Sequence, residues 1–552
     1  MPESTRPVLI VGAGAGGLAA STLLAHHGVI CLVVEKRREV FVYPKARNLA
    51  FRSLEILRRA GVGSAVDAVA EHISTMVSKK TLNSADETTL FDAEVSFTAE
   101  GISPEPFGRY CPQSRLEPIL LAETRRLGGE VRYGAEMVSF TQDDTGVAAT
   151  LKDLDSGVLS VVHADYLLGA DGTHSPIRRQ LGISTSGYGE LPIFVVFAYF
   201  RAPWRQFVPN IGDGDVVQVN NPDVSGTFVV AQGDLGVFAS TYFPDHGETL
   251  DQFTPERCRE MLLKAVGAAI DVEIVDVAQW QPYEQVADQF RCGRVFLVGD
   301  SAHTMTPLKG GGANTAIASA QNLAWKLAVV LQGTAGPELL GTYHTERHPV
   351  GRFAARQSLT GPMAAFLPLG NNRPMLPTEE DRPLFDIFVG YKYRSTAVVT
   401  DEPAPADPDT VQLVDGEELH GEPGTRVPHA WLQRGGARIS TLDLLGTGFT
   451  LFTGSAGAPW GSAVRSVGRS LGVPINVYSI GPDTDIRDVD GRWAHLTGLS
   501  PGAALLVRPD DFVAWRTDAL PRSPEQQLRQ VICQIMSRHS RRCHSALPSS
   551  TP

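Results

Sequence analysis

Several features are scarce in this sequence, and each absence excludes a class of protein. No apolar run among the 552 residues is long enough to span a bilayer, so we expect no membrane partner. Lysine and arginine (49) are outnumbered by aspartate and glutamate (61), and the net charge of −12 argues against nucleic-acid binding. No histidine or cysteine cluster has metal-ligand spacing, so no metal is expected.

Cysteine is rare and dispersed, without a C-x-x-C pair. The scattered positions predict reduced thiols, and no signal peptide precedes the first predicted strand, so a cytoplasmic location is expected. The six cysteines are Cys31, Cys111, Cys258, Cys292, Cys533 and Cys543.

The stretch from Pro7 to Glu35 is typical of a nucleotide-binding βαβ unit. A β-branched strand leads into G-x-G-x-x-G at Gly12, Gly14 and Gly17, followed by a helix over 18–27 and a strand that ends at Glu35. The first glycine permits a tight turn, the second lets a pyrophosphate approach, and the third allows helix–strand packing. A helix N-terminus favours phosphate, and an acid about 20 residues on accepts ribose hydroxyls. The pattern predicts dinucleotide binding.

Basic residues follow the predicted ribose acid. Lys36, Arg37 and Arg38 could stack on an adenine or reach a phosphate, or they could form a solvated run. Lys45 and Arg47 follow Pro44, which fixes the local backbone. Their loop comes directly after the nucleotide strand, and we favour a functional role for both cations.

Two further segments place polar groups beside helix starts. Ser114 and Glu117 predict a capping box for a helix over 113–126, and Gln113 would direct its amide above the sheet unless it is an ordinary loop residue. A buried strand breaks at Asp171-Gly172 before a helix that Ser175 would cap, with proline at its first position.

Between about 191 and 283 the composition changes, and runs of aromatic and β-branched residues appear. They predict an antiparallel sheet that forms a separate substrate-covering domain, with Phe197 and Phe243 as candidate pocket residues.

A second nucleotide-like segment follows this sheet. A strand over 294–300 ends in Gly299-Asp300, and Asp300 could bond a ribityl hydroxyl. Backbone N–H groups around Gly312 to Asn314, at the start of a helix over 315–331, could hold the electron-rich end of a ring system. His303 is read as structural in preference to catalytic.

The remainder predicts a smaller α/β domain. Pro403 to Asp409 is a linker by composition. Beyond it, we predict strands over 442–450, 475–480 and 504–507 and a helix over 463–471.

Together these blocks resemble the single-component FAD-dependent aromatic hydroxylases, the p-hydroxybenzoate hydroxylase group. They are most similar to the longer bacterial members that oxidise aromatic polyketides and phenols. Short motifs such as Arg426-Val427-Pro428-His429 and Arg508-Pro509-Asp510-Asp511-Phe512 resemble motifs of the thioredoxin-like C-terminal domain in those members. Without C-x-x-C, that domain should be redox-silent.

The resemblance implies a fold of mixed α/β and α+β class. It comprises a Rossmann-like FAD-binding domain of the glutathione-reductase type, an antiparallel-sheet substrate domain and the thioredoxin-like domain. The implied division is 1–185 (FAD, first part), 186–285 (substrate sheet), 286–400 (FAD, second part, and helices), 401–411 (linker), 412–520 (thioredoxin-like) and 521–552 (helix and tail).

The resemblance also implies a site and a reaction. NADPH or NADH reduces FAD, and O2 then gives a C4a-hydroperoxyflavin that hydroxylates an electron-rich aromatic substrate; a homodimer is left open. Asp171-Gly172 would serve both the FAD pyrophosphate and the nicotinamide cofactor. Catalytic candidates are Pro307, Lys45 and Arg47. FAD contacts are expected from Gly12, Gly14, Ala15, Gly16, Gly17, Glu35, Lys36, Arg47, Gln113, Asp171, Gly172, Asp300, Pro307, Gly312, Ala313 and Asn314.

The sequence departs from the family pattern at three places. The family usually has Pro-Arg-Ala where Pro44-Lys45-Ala46 stands, Gly at Lys309 and Asp at Ser319. Lys309 could alter flavin movement, contact an anionic substrate or point to solvent. Baeyer–Villiger oxygen insertion and a non-catalytic flavoprotein are the alternatives; a halogenase is disfavoured because no Trp-x-Trp-x-Ile-Pro segment is present.

Overall fold

The computed structural model describes residues 3–40, 47–72, 75–92, 98–232, 234–361 and 379–538. Within these ranges no helix is both long and apolar enough to cross a membrane. The expected catalytic residue Lys45 lies outside the described residues.

The N-terminal third supplies most of the main sheet and the helices on it. Its strands are β1 (Glu3–Val11), β2 (Cys31–Glu35), β3 (Asn48–Ala50), β4 (Thr75–Lys79), β5 (Thr88–Asp92), β6 (Gly108–Tyr110), β7 (Glu130–Tyr133), β8 (Ala135–Gln142), β9 (Val147–Asp153) and β10 (Leu159–Gly169). Its helices are α1 (Ala15–His26), α2 (Phe51–Arg59), α3 (Gly63–Asp67), α4 (Gln113–Arg126) and α5 (Pro176–Gln180).

The central part supplies a second sheet and the longest described helix. The strands are β11 (Thr185–Glu190), β12 (Phe194–Arg201), β13 (Val216–Asn220), β14 (Ser225–Gln232), β15 (Leu235–Tyr242), β16 (Glu273–Trp280), β17 (Tyr283–Ala287), β18 (Arg291–Cys292), β19 (Val295–Leu297) and β20 (His303–Thr304). The helices are α6 (Pro255–Val266), α7 (Gly311–Leu331), α8 (Thr342–Gln357) and α9 (Leu384–Phe388).

Over its described residues, the C-terminal part is built from short strands and three α-helices. The strands are β21 (Tyr391–Lys392), β22 (Gln412–Leu413), β23 (Trp431–Arg434), β24 (Ala437–Ser440), β25 (Phe449–Thr453), β26 (Ile475–Ser479), β27 (Ile486–Arg487), β28 (Ala504–Val507) and β29 (Val513–Thr517). The helices are α10 (Ala458–Leu471), α11 (Arg492–Thr497) and α12 (Pro524–Ile535).

The main sheet is mostly parallel. Its order is β18-β19-β10-β1-β2-β7, and β9 and β8 extend it from β10. Strands β7, β2, β1, β10 and β19 all run parallel, so their carboxyl ends meet at one edge. Ligands bind at this edge in open α/β sheets. The glycine turn, Glu35, Asp171 and Asp300 all follow those strand ends, as the sequence predicts.

The second sheet has seven strands in the order β16-β12-β15-β14-β13-β4-β5. Helix α6 covers one face, where Phe200, Phe228 and Phe238 pack with Leu262. Strands β4 and β5 were not predicted; they come from residues 75–92 and join because β4 pairs in parallel with β13. The sheet is therefore assembled from two separate parts of the chain.

The C-terminal domain combines a βαβ unit with a hairpin, as expected of the thioredoxin-like domain. Strand β25 pairs in parallel with β26 and antiparallel with β28, which pairs with β29. Its core is continuous with that of the FAD-binding part, because Trp325 of α7 lies 6.0 Å from the Phe449 ring.

Buried charges also join these two parts. Asp511 accepts hydrogen bonds from Arg52 (2.8 Å) and from Gln321 (3.1 Å). Arg508 donates to Glu346 at 2.6 and 2.9 Å. All five side chains are at least 94% buried, so the contact is a polar core and not a surface bridge.

Three local predictions are wrong. Helix α4 begins at Gln113 without a side-chain cap, because the Glu117 carboxylate accepts from Gln113 and the Ser114 capping box does not form. Residues 441–444 form a 3-10 turn, so the strand predicted over 442–450 begins only at Phe449. Cys533 is disulfide-bonded, which overturns the prediction of reduced thiols throughout. Cys31, Cys111, Cys258 and Cys292 are free.

Candidate active site

The glycine turn has the close packing that only glycine permits. Gly12 adopts φ +108°, and a Cβ there would lie 2.1 Å from the Ala170 carbonyl oxygen. A Cβ on Gly17 would lie 2.0 Å from the Gly12 carbonyl oxygen. Both positions therefore exclude a side chain. Gly14 precedes helix α1 in extended conformation and carries no side-chain cap, which leaves the first N–H groups of the helix available to an anion.

Glu35 is positioned before any ligand binds. It is 6% exposed, and it accepts hydrogen bonds from the Ala13 backbone N–H (2.8 Å) and from the Arg37 backbone and side chain (2.9 and 3.1 Å). Burial alone would raise the pKa of Glu35, but these hydrogen bonds and the Arg37 charge lower it below its ordinary value. Glu35 is thus held as a carboxylate, the form that accepts ribose hydroxyls.

The three basic residues after Glu35 have different environments. Lys36 is exposed, Arg37 holds Glu35, and Arg38 pairs with Asp155. The sequence predicted stacking on an adenine, contact with a phosphate, or solvation for this run. The contact between Arg37 and Glu35 was not predicted. Their separation by two positions at the end of β2 could have indicated it.

Asp171 follows the end of β10, in the turn that leads to α5. Its Oδ2 accepts from the Ile177 N–H at 3.0 Å, whereas its buried Oδ1 has no partner among the described residues. Burial raises the pKa of Asp171. A buried carboxylate oxygen without a partner is costly, so this atom is a candidate contact for a ligand donor. The adjacent Ser175 caps α5 as predicted, accepting from the Arg178 N–H at 2.9 Å.

The two distant nucleotide segments meet beside helix α1. A Cβ on Gly16 would lie 3.6 Å from the Gly299 Cα and 3.5 Å from the Ala316 Cβ. Arg178, which the sequence did not single out, donates to the Ser301 carbonyl (2.8 Å) and to the Thr173 carbonyl (2.8 Å). It therefore joins the Asp171 turn to the Asp300 turn. The Asp300 side chain is exposed at this junction.

Helix α7 begins at the same edge. Gly310 adopts φ +63°, and the N–H groups of Gly312 and Ala313 lie in the first helical turn, where no intrahelical acceptor exists. The Asn314 side chain has a structural role: it accepts from the Ala50 N–H at 2.9 Å and donates to the Asn48 and Gly310 carbonyls. Only the backbone of this segment is available to a ring system.

The remaining predicted residues, Pro307, Arg47 and Gln113, lie on three separate parts of the chain. Pro307 is exposed at the beginning of a 3-10 turn, Pro307–Lys309. Arg47 is half-buried before β3, and burial lowers its pKa against the opposing charges of Tyr110 and Asp215. Gln113 is half-buried at the start of α4, and its amide lies 3.9 Å from where a Gly14 Cβ would be.

His303 is a structural residue. Its side chain is fully buried, 5.9 Å from the Phe290 ring. Burial, with a smaller contribution from Arg347, lowers its pKa to about 3, so the ring is neutral.

The second sheet presents an apolar face to the Pro307–Lys309 turn. Leu308, Phe197 and Trp280 pack against one buried cluster, which includes Val195 and Leu359. The Phe197 and Trp280 rings lie 6.0 Å apart. Phe243, the other candidate pocket residue, lies just beyond β15, is 36% exposed and contacts His246.

These features fit FAD. A side-chain-free turn at a helix start suits a pyrophosphate, Glu35 suits a ribose, and the start of α7 suits the electron-rich edge of an isoalloxazine. The unpartnered Asp171 oxygen and the glycine packing are properties of the protein alone, and they match a dinucleotide at this edge.

Comparisons with known proteins agree with this geometry. Residues 5–358 match the family described as FAD binding domain, and residues 420–538 match the family described as aromatic-ring hydroxylase, C-terminal. Tetracenomycin A2 monooxygenase-dioxygenase of Streptomyces glaucescens is 37% identical over 97% of both chains. 4-Methyl-5-nitrocatechol 5-monooxygenase of a Burkholderia species is 37% identical over 96% of this chain and 98% of that protein.

A solved structure extends the likeness to three dimensions. The structure of aklavinone-11 hydroxylase with FAD and aklavinone has a TM-score of 0.87 and 34% identity, covering 98% of this chain and all of that one. The fold, the converging nucleotide segments and the full-length matches lead to one conclusion: this chain belongs to the FAD-dependent aromatic hydroxylases.

Proposed function

We propose that this protein hydroxylates a polycyclic phenol, using NADPH or NADH and O2, in a cytoplasmic setting. The observation that carries the substrate class is the apolar sheet face opposite Leu308. Phe197 and Tyr199 lie on that face, while Ala231, Ala239 and Ala278 pack with them. Aromatic walls between small side chains suit a flat, bulky molecule.

Bound FAD supplies electron transfer from the nicotinamide and activation of O2. The chain supplies the rest: the α1 start and Glu35 hold the nucleotide, the α7 start orients the ring, and Pro307 lines the oxygen-reacting side. Asp171-Gly172 serves the pyrophosphate and a transient nicotinamide site, and Arg47 supplies a cation near the site. The apolar face excludes water from the reacting ring.

The names of the relatives support a polyketide-like substrate. Tetracenomycin and aklavinone appear in the names of two similar enzymes, and both proteins align with nearly the whole of this chain. Nitrocatechol in the third name makes a single-ring phenol the competing substrate class.

The test is a stopped-flow reduction assay with a panel of polycyclic and single-ring phenols. We expect polycyclic phenols to accelerate flavin reduction and to yield a product with one added oxygen on a ring carbon. NMR connectivity that shows ring expansion would favour Baeyer–Villiger insertion instead. No NAD(P)H consumption with any aromatic compound would favour a non-catalytic flavoprotein.

A matched pair of variants tests the proposed substrate face. Phe197 and Phe194 are half-buried on the same strand, but three positions apart, so they lie on opposite faces. Phe194 packs instead against Tyr242, with ring centroids 5.5 Å apart. Phe197→Ala should raise KM or change the oxidised carbon, whereas Phe194→Ala should leave both unchanged. Equal effects would contradict the assignment.

A further inference from the structure

Lys309 is enclosed by oxygen acceptors from two other segments of the chain. Its side chain is 10% exposed, and Nζ lies 3.1 Å from Gln357 Oε1, 3.1 Å from Thr360 Oγ1 and 2.5 Å from Asp381 Oδ1. A fourth acceptor, the Arg382 carbonyl, lies at 3.3 Å. The three ammonium protons are therefore fully used within the protein, which argues against the solvent and substrate-contact alternatives.

The acceptors are bonded to one another as well. Thr360 Oγ1 donates to Asp381 Oδ1 at 2.9 Å, and the Arg382 N–H donates to Gln357 Oε1 at 2.9 Å. Gln357 Nε2 donates to the Glu380 carbonyl at 3.0 Å. This preformed socket, Gln357, Thr360, Asp381 and Arg382, fixes where the ammonium must lie.

The turn that carries Lys309 is held at its other end too. The Thr306 backbone N–H donates to Ser358 Oγ at 3.2 Å, and Thr306 Oγ1 donates to the Ser358 carbonyl at 2.6 Å. Between these two attachments lie Pro307, at the FAD ring site, and Leu308, on the substrate face. The spacing between ring and substrate therefore depends on both attachments.

We propose that Lys309 is a positioning residue that sets the distance between the flavin ring and the substrate face by holding the Pro307–Leu308 turn against the end of α8. The inference rests on the proposed function. It concerns a position where the resembled family usually has glycine, so the attachment is a property of this chain.

The consequence is a change in how oxygen is used. In the coupled reaction, NAD(P)H, a proton, O2 and substrate give NAD(P)+, hydroxylated product and water. When the geometry is lost, NAD(P)H, a proton and O2 give NAD(P)+ and hydrogen peroxide. A displacement of about 1 Å at a reacting centre costs up to about a hundredfold in rate, so a loosened turn should favour the second outcome.

The test compares Lys309→Met with Lys392→Met in the full-length holoenzyme. Lys392 is the matched control: it is 14% exposed and pairs with Glu422 at 2.7 Å, and Glu422 is as exposed (43%) as Asp381. We expect Lys309→Met to bind FAD, to show a shifted flavin absorption spectrum and to give about tenfold less product per NAD(P)H. Lys392→Met should behave as wild type.

A second variant and the wild-type protein complete the test. If Lys309→Met does not fold, Asp381→Asn removes the ion pair and leaves Lys309 with its neutral acceptors; it should lower the product yield in the same direction by a smaller factor. Spectra and yields that match Lys392→Met would overturn the inference. A wild-type protein without FAD or without aromatic-dependent NAD(P)H oxidation would overturn the proposed function instead.

Discussion

Replacement of Glu346 by Gln removes one negative charge from the polar core between the FAD-binding part and the C-terminal domain. Glu346 accepts from Lys326 (2.7 Å), Asn322 (2.6 Å), Ser395 (2.6 Å) and Arg508 (2.6 and 2.9 Å). Burial would raise its pKa, but the charges of Arg508 and Lys326 hold the pKa of Glu346 well below its usual range.

The size of the effect follows from what the substitution leaves behind. Arg508 keeps Asp510, at 2.9 Å from its Nε, but Lys326 keeps only the Asn322 side chain, at 2.8 Å, and a neutral amide. Removing one partner of a buried ion pair costs about 3–5 kcal/mol. We therefore expect Glu346→Gln to lower the free energy of unfolding by about that amount.

The penalty should depend on pH. Burial, only partly offset by Glu346, lowers the pKa of Lys326 to about 8, below its value in the unfolded chain. Such a group favours folding at high pH, and its contribution is lost as the pH falls through the folded pKa. Loss of Glu346 lowers this pKa further, so the penalty should grow as the pH falls from about 9 to about 7.

The assay is urea unfolding followed by intrinsic fluorescence, with limited proteolysis to report loss of the contact between domains. The control is Glu130→Gln. Glu130 also pairs with two cations, Arg6 and Arg132, each at 2.6 Å, but its side chain is 40% exposed. Glu130→Gln should therefore lower the free energy of unfolding by less than about 1 kcal/mol. If the losses in free energy of unfolding caused by Glu346→Gln and Glu130→Gln differ by less than about 1 kcal/mol, burial does not set the cost of losing these carboxylates.

Three other outcomes are expected. Asp386 is 5% exposed and burial raises its pKa to about 6, so its contribution to stability is present below the unfolded pKa and is lost as the pH rises through about 6. In thermal unfolding, Asp386→Asn should stabilise the protein by up to about 3 kcal/mol at about pH 8 and by almost nothing at about pH 4; a gain that is the same at both pH values would refute this. Gly17→Ala should weaken FAD binding because its Cβ would meet the Gly12 carbonyl, whereas Gly28→Ala, at φ +82° with open space around it, should cost stability without loss of FAD. Equal FAD titrations for the two glycine variants would be inconsistent with the packing argument. Arg37→Leu should raise the Kd for FAD by freeing Glu35, and an unchanged Kd would show that Glu35 does not depend on Arg37.

The edge of the main sheet could be predicted from sequence because its rules are local. A strand, a glycine turn and a helix start occupy adjacent positions, and parallel strands bring their carboxyl ends together whatever lies between them. Gly12, Glu35, Asp171 and Asp300 converge for this reason. Ser175 was predicted as a cap because a cap depends on the next three residues only.

Contacts between distant residues could not be predicted in the same way. Arg508 and Glu346 are separated by 162 positions, and nothing in either neighbourhood indicates the pairing. Strand β4 joins β13 across more than a hundred residues for the same reason. Lys309 was visible as an unusual residue, but its acceptors lie on two separate segments, so its role could be read only from the structure.

Ser114 and residues 442–444 show the limit of local rules. Ser114 has the spacing of a capping box, but Glu117 accepts from Gln113 instead, and Pro112 occupies the N-cap position. Leu442 and Leu444 are apolar and alternate in a strand-like pattern, yet Ser440 and Asp443 form a capping box that favours a 3-10 turn. In both cases a side-chain hydrogen bond decided between two conformations that the sequence pattern allows.

The central claim is that two distant chain segments, the turn over 12–17 and the turn over 299–314, hold one FAD between them. The most direct measurement is a titration of the FAD-free protein with FAD, monitored by quenching of flavin fluorescence, for wild type and for Asp300→Ala. We expect one FAD per wild-type chain and weaker binding in the variant, with the fold retained by circular dichroism. A wild-type protein that takes up no FAD would contradict the account.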